Sequence, residues 1–263
     1  MDISIVIVNY NTKELLLSCL KSIKSCDWHG LKYEVIVVDN NSREYLGDIL
    51  AKLYSEVKFI QSEVNLGMGA GNNLGFSSAT GKYFVVMNAD TIAMPNTFEV
   101  LYHYLENNPR VGITGPKQLN LDQTVQQSCY RYHTLMTPFY RRTFLGATSC
   151  GHTDLNRFLM TDFDHYHIKE VDWLLGSFYF MRSEVYKSLG GFDERFFLYF
   201  EDTDLCRRCH QAGWQVVYNP EARIVHNHGR QSAKTPWWKF FTSRTARIHI
   251  GSWFKYLIKW GTK

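Results

Sequence analysis

Apolar positions along this chain follow two alternating patterns. Ile3-Ser-Ile-Val-Ile-Val-Asn9 is a short, nearly continuous apolar run, the mark of a parallel strand buried on both faces. Thr12 stands where it can cap a following helix, in which Leu15, Leu16, Cys19, Leu20 and Ile23 form one stripe. A second strand, Tyr33-Glu-Val-Ile-Val-Val38, ends in Asp39-Asn40-Asn41-Ser42, which is turn and cap chemistry. A helical stretch through Ile49, Leu50 and Leu53 leads to a short strand at Val57 to Ile60. A glycine-rich turn and helix over residues 65–79 then precede the strand Lys82-Tyr-Phe-Val-Val-Met87.

Further on, the spacing predicts a helix over 95–107 and a strand from Val111 to Pro116. Residues 120–170 show no usable period. Order returns at Val171 to Met181, then a helix from about Tyr199 to Ala212, and strands at Trp214 to Tyr218 and Arg223 to Val225. Strands alternating with helices at this spacing argue for a Rossmann-like, mainly parallel α/β sheet. Ligands bind beyond the carboxyl ends of such strands, and Asp39 and Asp90 both stand there. Neither an internal repeat nor a linker composition is visible, so one compact domain with two functional halves is expected.

Composition changes this picture little, except in one place. Aromatic residues make up 15% of the chain, which suits stacking on sugars and bases as well as cores. The net charge of +4 is too small to point to nucleic acid. From Lys234 to Lys263 there are seven Lys or Arg and no Asp or Glu, against 22 basic and 25 acidic residues before that stretch. The basic part is therefore the tail. The six cysteines (19, 26, 129, 150, 206, 209) are expected as reduced thiols in a cytoplasmic protein, because the opening residues show no signal-peptide pattern.

Four constellations carry candidate chemistry. Asn65-Leu-Gly67-Met-Gly69-Ala-Gly71 through Asn73-Leu-Gly75 fails as a dinucleotide fingerprint, because Asn72 stands where the third glycine belongs; tight helix packing is its plainer reading. Asn88-Ala89-Asp90 puts a carboxylate just past a buried strand, where it can hold Mg²⁺ or Mn²⁺ against a diphosphate, or merely cap a helix. In the helix at 199–212, Asp202 shares a stripe with Leu205, Cys206 and Cys209 and should point inward. Glu201 and Asp204 should lie on the polar side with Arg207 and Arg208, in surface-type pairs. His226 ends the last strand with His228 two residues on, and imidazole can serve as a metal ligand. Cys206-x-x-Cys209 lacks a second pair and belongs to the apolar stripe, which excludes a zinc reading.

Taken together, these segments resemble the family 2 glycosyltransferases of GT-A fold, especially their bacterial rhamnosyltransferase-like branch, over residues 3–232. Ile3 through Asn9-Tyr10-Asn11 resembles the family's first strand, and Glu34 through Asp39-Asn40-Asn41-Ser42 its second, whose Asp contacts the nucleobase. Asn65-Leu-Gly67 to Asn73-Leu-Gly75 resembles the stretch beside the nucleotide. Met87-Asn88-Ala89-Asp90 resembles the Asp-x-Asp position, with Asn at 88. Trp173-Leu-Leu-Gly176-Ser177, Gly191 to Phe197 and Tyr199-Phe-Glu201-Asp202 resemble the acceptor-side motif. His226-Asn-His-Gly229-Arg-Gln-Ser232 resembles the family's His-x-x-Gly-x-x-Ser ending.

The resemblance implies a GT-A type mixed, mainly parallel sheet flanked by helices. It divides the chain into a nucleotide-sugar half (1–118), an acceptor half (119–232) and a basic aromatic tail (233–263). It implies Asp202 as the general base of an inverting transfer, with Trp173, Gly176, Ser177 and Glu201 on the acceptor side. Asn9, Tyr10, Asn11, Asp39, Asn65, Gly67, Asn73, Asn88 and Asp90 would face the donor, with Asp90 and His226 holding Mg²⁺ or Mn²⁺. The donor would be a dTDP- or UDP-linked sugar, rhamnose first, and the acceptor a glycan or lipid-linked glycan of bacterial surface polysaccharide synthesis. A non-catalytic nucleotide-sugar or carbohydrate-binding protein on the same fold is the alternative. Because acceptors in that branch are often lipid-linked, the tail's interleaved aromatic and basic residues, from Pro236-Trp237-Trp238 to Trp260, are expected at an anionic membrane surface on the inner face of the plasma membrane. A helix packed on the body, or an oligomer contact, is the alternative for that segment.

Overall fold

A computed structural model describes residues 1–227 and 243–261. In the first half β1 (Ile3–Asn9), α1 (Lys13–Lys24), β2 (Tyr33–Asp39), α2 (Gly47–Leu53), β3 (Lys58–Gln61), α3 (Met68–Phe76) and β4 (Tyr83–Met87) alternate. β3, β2, β1 and β4 lie side by side and parallel, with Ile3 opposite both Tyr33 and Tyr83. The unbroken apolar run of β1 follows from helices on both faces. Ile3, Ile5 and Ile7 pack with Leu16, Leu20 and Leu101, while Val6 and Val8 pack with Phe76 on the opposite side.

The second half adds β5 (Thr91–Ala93), α4 (Thr97–Asn107), β6 (Val111–Leu119), β7 (Val125–Gln126) and β8 (Cys129–Tyr130). Then follow α5 (Thr137–Tyr140), a 3₁₀ turn (Phe144–Ala147), α6 (Ser149–Leu159), β9 (Lys169–Glu170), β10 (Trp173–Leu174), β11 (Phe178–Arg182) and α7 (Ser183–Ser188). The described chain ends with α8 (Glu201–Gln211), β12 (Gln215–His226) and α9 (Arg244–Trp260). β11 runs antiparallel between β4 and β6, and β12 runs parallel to β6, so the sheet is mixed but mainly parallel, as expected. β8 and β10 pair separately as a two-stranded sheet.

The glycine-rich segment does what helix packing requires. A Cβ on Gly75 would lie 2.4 Å from Val6 Cγ1, and one on Gly71 would lie 3.0 Å from Val8 Cγ1, so α3 sits hard against β1.

Several expectations need correction. Thr12 does not cap α1: its hydroxyl donates to Asn9 Oδ1 (2.7 Å) instead, because that buried oxygen needs a donor. The two strands expected at 214–218 and 223–225 are one, β12, with a register shift between Asn219 and Arg223 around Pro220, which has no N–H to give.

The largest correction concerns α8. Glu201 and Asp204, expected on a solvent-facing side, are buried, Asp204 completely. α9 covers that side: Asp204 accepts from Arg208 Nε (2.8 Å), Lys259 Nζ (2.6 Å) and Trp260 Nε1 (2.8 Å). Trp253 and Tyr256 of α9 pack on Phe196 and Phe200, so this part of the tail is docked on the body. His228, Gly229, Ser232 and the Pro236–Phe241 stretch lie outside the described residues.

Gly75→Ala is expected to lower stability by about 1–3 kcal/mol, the usual cost of overpacking, and Val6→Ala in the same chain should recover part of it. Urea unfolding of the single and double variants tests this; an unchanged midpoint for Gly75→Ala would show that α3 has room to move.

Candidate active site

The site is organised by the turn that leaves β4. Asn88 N donates to Ser177 O (2.9 Å), Thr91 N to Asn88 O (3.1 Å), and Asn227 N to Asp90 O (2.8 Å). The start of β11 and the end of β12 therefore grip the same three residues. His226, the last residue of β12, brings Nε2 to 3.3 Å from Asp90 Oδ1. On its other side Nδ1 lies 2.8 Å from Gln126 Oε1, which can only accept. In the neutral ring Nδ1 then carries the hydrogen and Nε2 turns its lone pair to Asp90. Two electron-rich atoms face each other, and the buried Oδ1 of Asn88 has no hydrogen-bond partner among the described residues. An oxygen and imidazole set of this kind fits a divalent cation.

A cleft opens beside this turn, lined by Tyr10, Asn40, Asn65, Gly67, Met68, Asn88, Asp90, Phe197 and Leu198 among others. Five of the expected donor-facing residues meet there: Tyr10, Asn65, Gly67, Asn88 and Asp90. Asn9, Asn11 and Asp39 lie behind them. Asp39 is buried, its Oδ1 accepting from Asn9 Nδ2 (2.7 Å) and Ser42 Oγ (2.6 Å), its Oδ2 from Ser42 N and Gln61 Nε2 (both 2.9 Å). Asn11 accepts from Arg43 N (2.9 Å). Asn73 is not on the cleft; its side chain bonds Tyr186 Oη (2.5 Å) and both backbone groups of Phe192 (2.9 Å), tying α3 to the loop before α8.

Phe197 ends the segment that resembles the acceptor-side motif, and nothing in the sequence singles out Leu198, yet both line this cleft. Their place on the cleft depends on Gly67. That residue adopts φ +84°, a Cβ there would fall 2.1 Å from Phe197 O, and Met68 N donates to the same oxygen (2.8 Å).

The acid pair sits at the start of α8. Tyr199 and Phe200 precede it with φ of 69° and 68°, a conformation costing a non-glycine residue about 1–2 kcal/mol. Asp202 Oδ1 accepts from Thr203 N (2.7 Å) and Oδ2 from Gly176 N (3.2 Å). A Cβ on Gly176 would lie 3.1 Å from Asp202 Cβ, so only a glycine lets the two approach this closely without displacement. Burial raises the pKa of Asp202, and burial followed by the Asp202 charge raises that of Glu201 well above the carboxylate range. Glu201 Oε2 has no hydrogen-bond partner among the described residues. Trp173 is buried on Tyr130 (rings 4.3 Å apart) and donates to Arg131 O (3.0 Å). Ser177 is buried too, donating to Gln118 Oε1 (2.8 Å).

A family model described as glycosyltransferase like family 2 matches residues 1–248. The chain belongs to that family. This family 2 chain is 28% identical over 222 residues to an N-acetylglucosaminyl-diphospho-decaprenol L-rhamnosyltransferase of Mycobacterium tuberculosis, covering 77% of this chain and 69% of the relative. It is 26% identical to the rhamnosyltransferase WbbL of Escherichia coli K12, over 97% of this chain and 92% of that one. Among solved structures, the mannosyltransferase PcManGT of Pyrobaculum calidifontis superposes with a TM-score of 0.63 at 18% identity. The alignment covers 97% of the chain and 64% of that protein, and it bears out the GT-A fold.

The raised pKa of Glu201 has a testable sign. An acid held protonated by burial binds its proton more tightly folded than unfolded. It therefore adds stability below its unfolded pKa and loses it as pH rises through the raised value. Glu201→Gln should flatten the decline in urea stability as pH rises above the ordinary carboxylate range. Equal pH slopes in the two proteins would mean that Glu201 is not held neutral.

Proposed function

We propose that this family 2 glycosyltransferase performs a single inverting displacement, moving a hexose, rhamnose first, from a dTDP- or UDP-linked donor to a hydroxyl of a lipid-linked glycan. The observation that carries this reading is the placement of Asp202 and Asp90 at opposite ends of one connection. Gly176 N holds Asp202, and the next residue's carbonyl holds the turn that carries Asp90. The names of the two curated relatives support rhamnose and, for one of them, a diphospho-lipid acceptor. The division into a nucleotide half, an acceptor half and a tail belongs to the same proposal.

In this reading Asp202 accepts the acceptor hydroxyl's proton while that oxygen attacks the anomeric carbon and the bond to the diphosphate breaks. Its raised pKa makes it a better base than an exposed carboxylate. Glu201, kept neutral, leaves a single negative charge on the pair. Tyr10, Asn65, Gly67 and Asn88 face the donor, while Asn9, Asn11, Asp39 and Asn73 hold the framework around it. Asp90 and His226 would hold Mg²⁺ or Mn²⁺, which neutralises diphosphate charge when bound; the relative PcManGT was solved with GDP-Man and Mn²⁺.

Asp202→Asn should lower kcat by about 10²–10⁴ with donor Kd little changed. Glu201→Gln, which resembles the neutral acid, should keep most activity. Excess EDTA should abolish turnover and Mn²⁺ or Mg²⁺ restore it. A fully active Asp202→Asn would remove the base from this scheme, and full turnover in EDTA would remove the metal.

The outer face of α9 supports a membrane contact in the same reading. Phe254 and Ile258 are exposed beside Lys255, and no helix among the described residues is long and apolar enough to cross a bilayer. Phe254→Ser with Ile258→Ser should reduce sedimentation with phosphatidylglycerol vesicles; undiminished sedimentation would assign that face another role.

A further inference from the structure

Exposed apolar side chains are not spread evenly over this protein. Among the described residues the three exposed phenylalanines are Phe139, Phe144 and Phe254, with 44%, 85% and 54% of their surface open. Phe139 belongs to α5 and Phe144 opens the 3₁₀ turn. Leu135 and Met136, just before α5, are exposed as well. Phe139 meets Trp253 of α9 edge-on (rings 5.3 Å apart), and Trp253 touches Phe254 (5.1 Å). Ile258 lies one turn beyond Phe254 on the same face of α9. The two segments are therefore one connected surface. Single exposed apolar residues are ordinary, but a connected patch marks a contact.

The charges within these two segments have one sign. No Asp or Glu stands between Asp122 and Asp154, and α9 contains none. Asp154 itself is engaged, accepting from Thr137 Oγ1 (2.6 Å) and pairing with Arg157. Arg141 and Arg142 follow α5 directly and are exposed, as are Arg244, Arg247 and Lys255 of α9. Arg141 and Arg142 lie near α9, because burial first and then their charges hold its His249 down to about 4. Exposed aromatics among cations, with no anion beside them, fit the headgroup layer of an anionic bilayer. A second copy docked on this face would set these cations against their own kind. The patch is also tied to the cleft, since Ser252, next to Trp253, donates to Leu198 O (2.8 Å).

We propose that residues 135–144 and the outer face of α9 form a two-element platform that seats on an anionic bilayer. Phe139, Phe144 and Phe254 enter the headgroup layer, and the Leu198 edge of the cleft is held beside the lipid surface. The platform deepens the membrane contact read above from α9 and rests on that reading, but it adds a separate segment with its own readout. No period in residues 120–170 announces it; the contact of Phe139 with Trp253 joins the two parts.

The test is sedimentation of the full chain with vesicles of phosphatidylglycerol and phosphatidylcholine, against vesicles of phosphatidylcholine alone. The unaltered chain should partition onto the anionic vesicles and much less onto the neutral ones. Phe144→Ser, at a side chain too exposed to endanger folding, should weaken that partitioning roughly tenfold. Arg141→Gln should weaken it roughly fivefold at low salt and by less at high salt. Phe144→Cys, made with Cys150→Ser so that the remaining cysteines are buried, can carry a polarity-sensitive dye. Its emission should move to the blue when anionic vesicles are added. Unchanged partitioning of Phe144→Ser together with a dye that stays in water would overturn the platform and leave the α9 contact standing. If the unaltered chain sediments with neither vesicle, the membrane reading falls and the platform with it. A dimer in velocity sedimentation that Phe144→Ser dissolves, without vesicle binding, would assign the patch to a second copy and overturn the proposal.

Discussion

Everything in this site hangs on three backbone hydrogen bonds around Asn88–Asp90. They cost the chain nothing in side-chain choice, yet they fix a turn at the one place where β4, β11 and β12 converge. With the turn fixed, Asp90 has a set distance to His226, and the buried Oδ1 of Asn88 on the same turn has no hydrogen-bond partner among the described residues. Because Ser177 supplies one of the three bonds and its neighbour Gly176 holds Asp202, the position of that carboxylate is referred to the same turn. Two hydrogen-bonded turns, each anchored to the end of a sheet strand, thus set the spacing between the two carboxylates.

The cleft is closed from the second half by a contact that admits only glycine. Gly67 lies under Phe197 O, and its positive φ and missing side chain let the turn before α3 and the loop before α8 share one hydrogen bond. Asn73 reinforces this at a distance by bonding both backbone groups of Phe192. A residue expected to touch the nucleotide therefore acts on the shape of the loop instead.

Much of the fold was legible because β1, α1, β2 and β4 are long enough to show a period and are buried on both sides of the sheet. β7 to β10 are only two residues each, too short to show any period, and residues 120–170 stayed opaque for that reason. Asp202 could be placed because it shares a stripe with Cys206 and Cys209, both buried. Asp204 could not. Its burial depends on Lys259 and Trp260, and periodicity within one helix carries no information about a partner 56 residues on. Asp39 was recognisable as a strand-end acid, but its four protein donors come from three separate segments.

The consecutive left-handed residues Tyr199 and Phe200 stand where two glycines would sit without strain. Their side chains are what hold them there. Phe200 packs against Tyr256 (rings 5.2 Å apart), and Tyr199 against His249 (4.8 Å). α9 is therefore a splint for the bend that aims Asp202, and the same helix turns Ile258 and Phe254 outward. Asp202 and the outward-facing Phe254 and Ile258 are opposite ends of one lever, so whatever grips that face pulls on the bend.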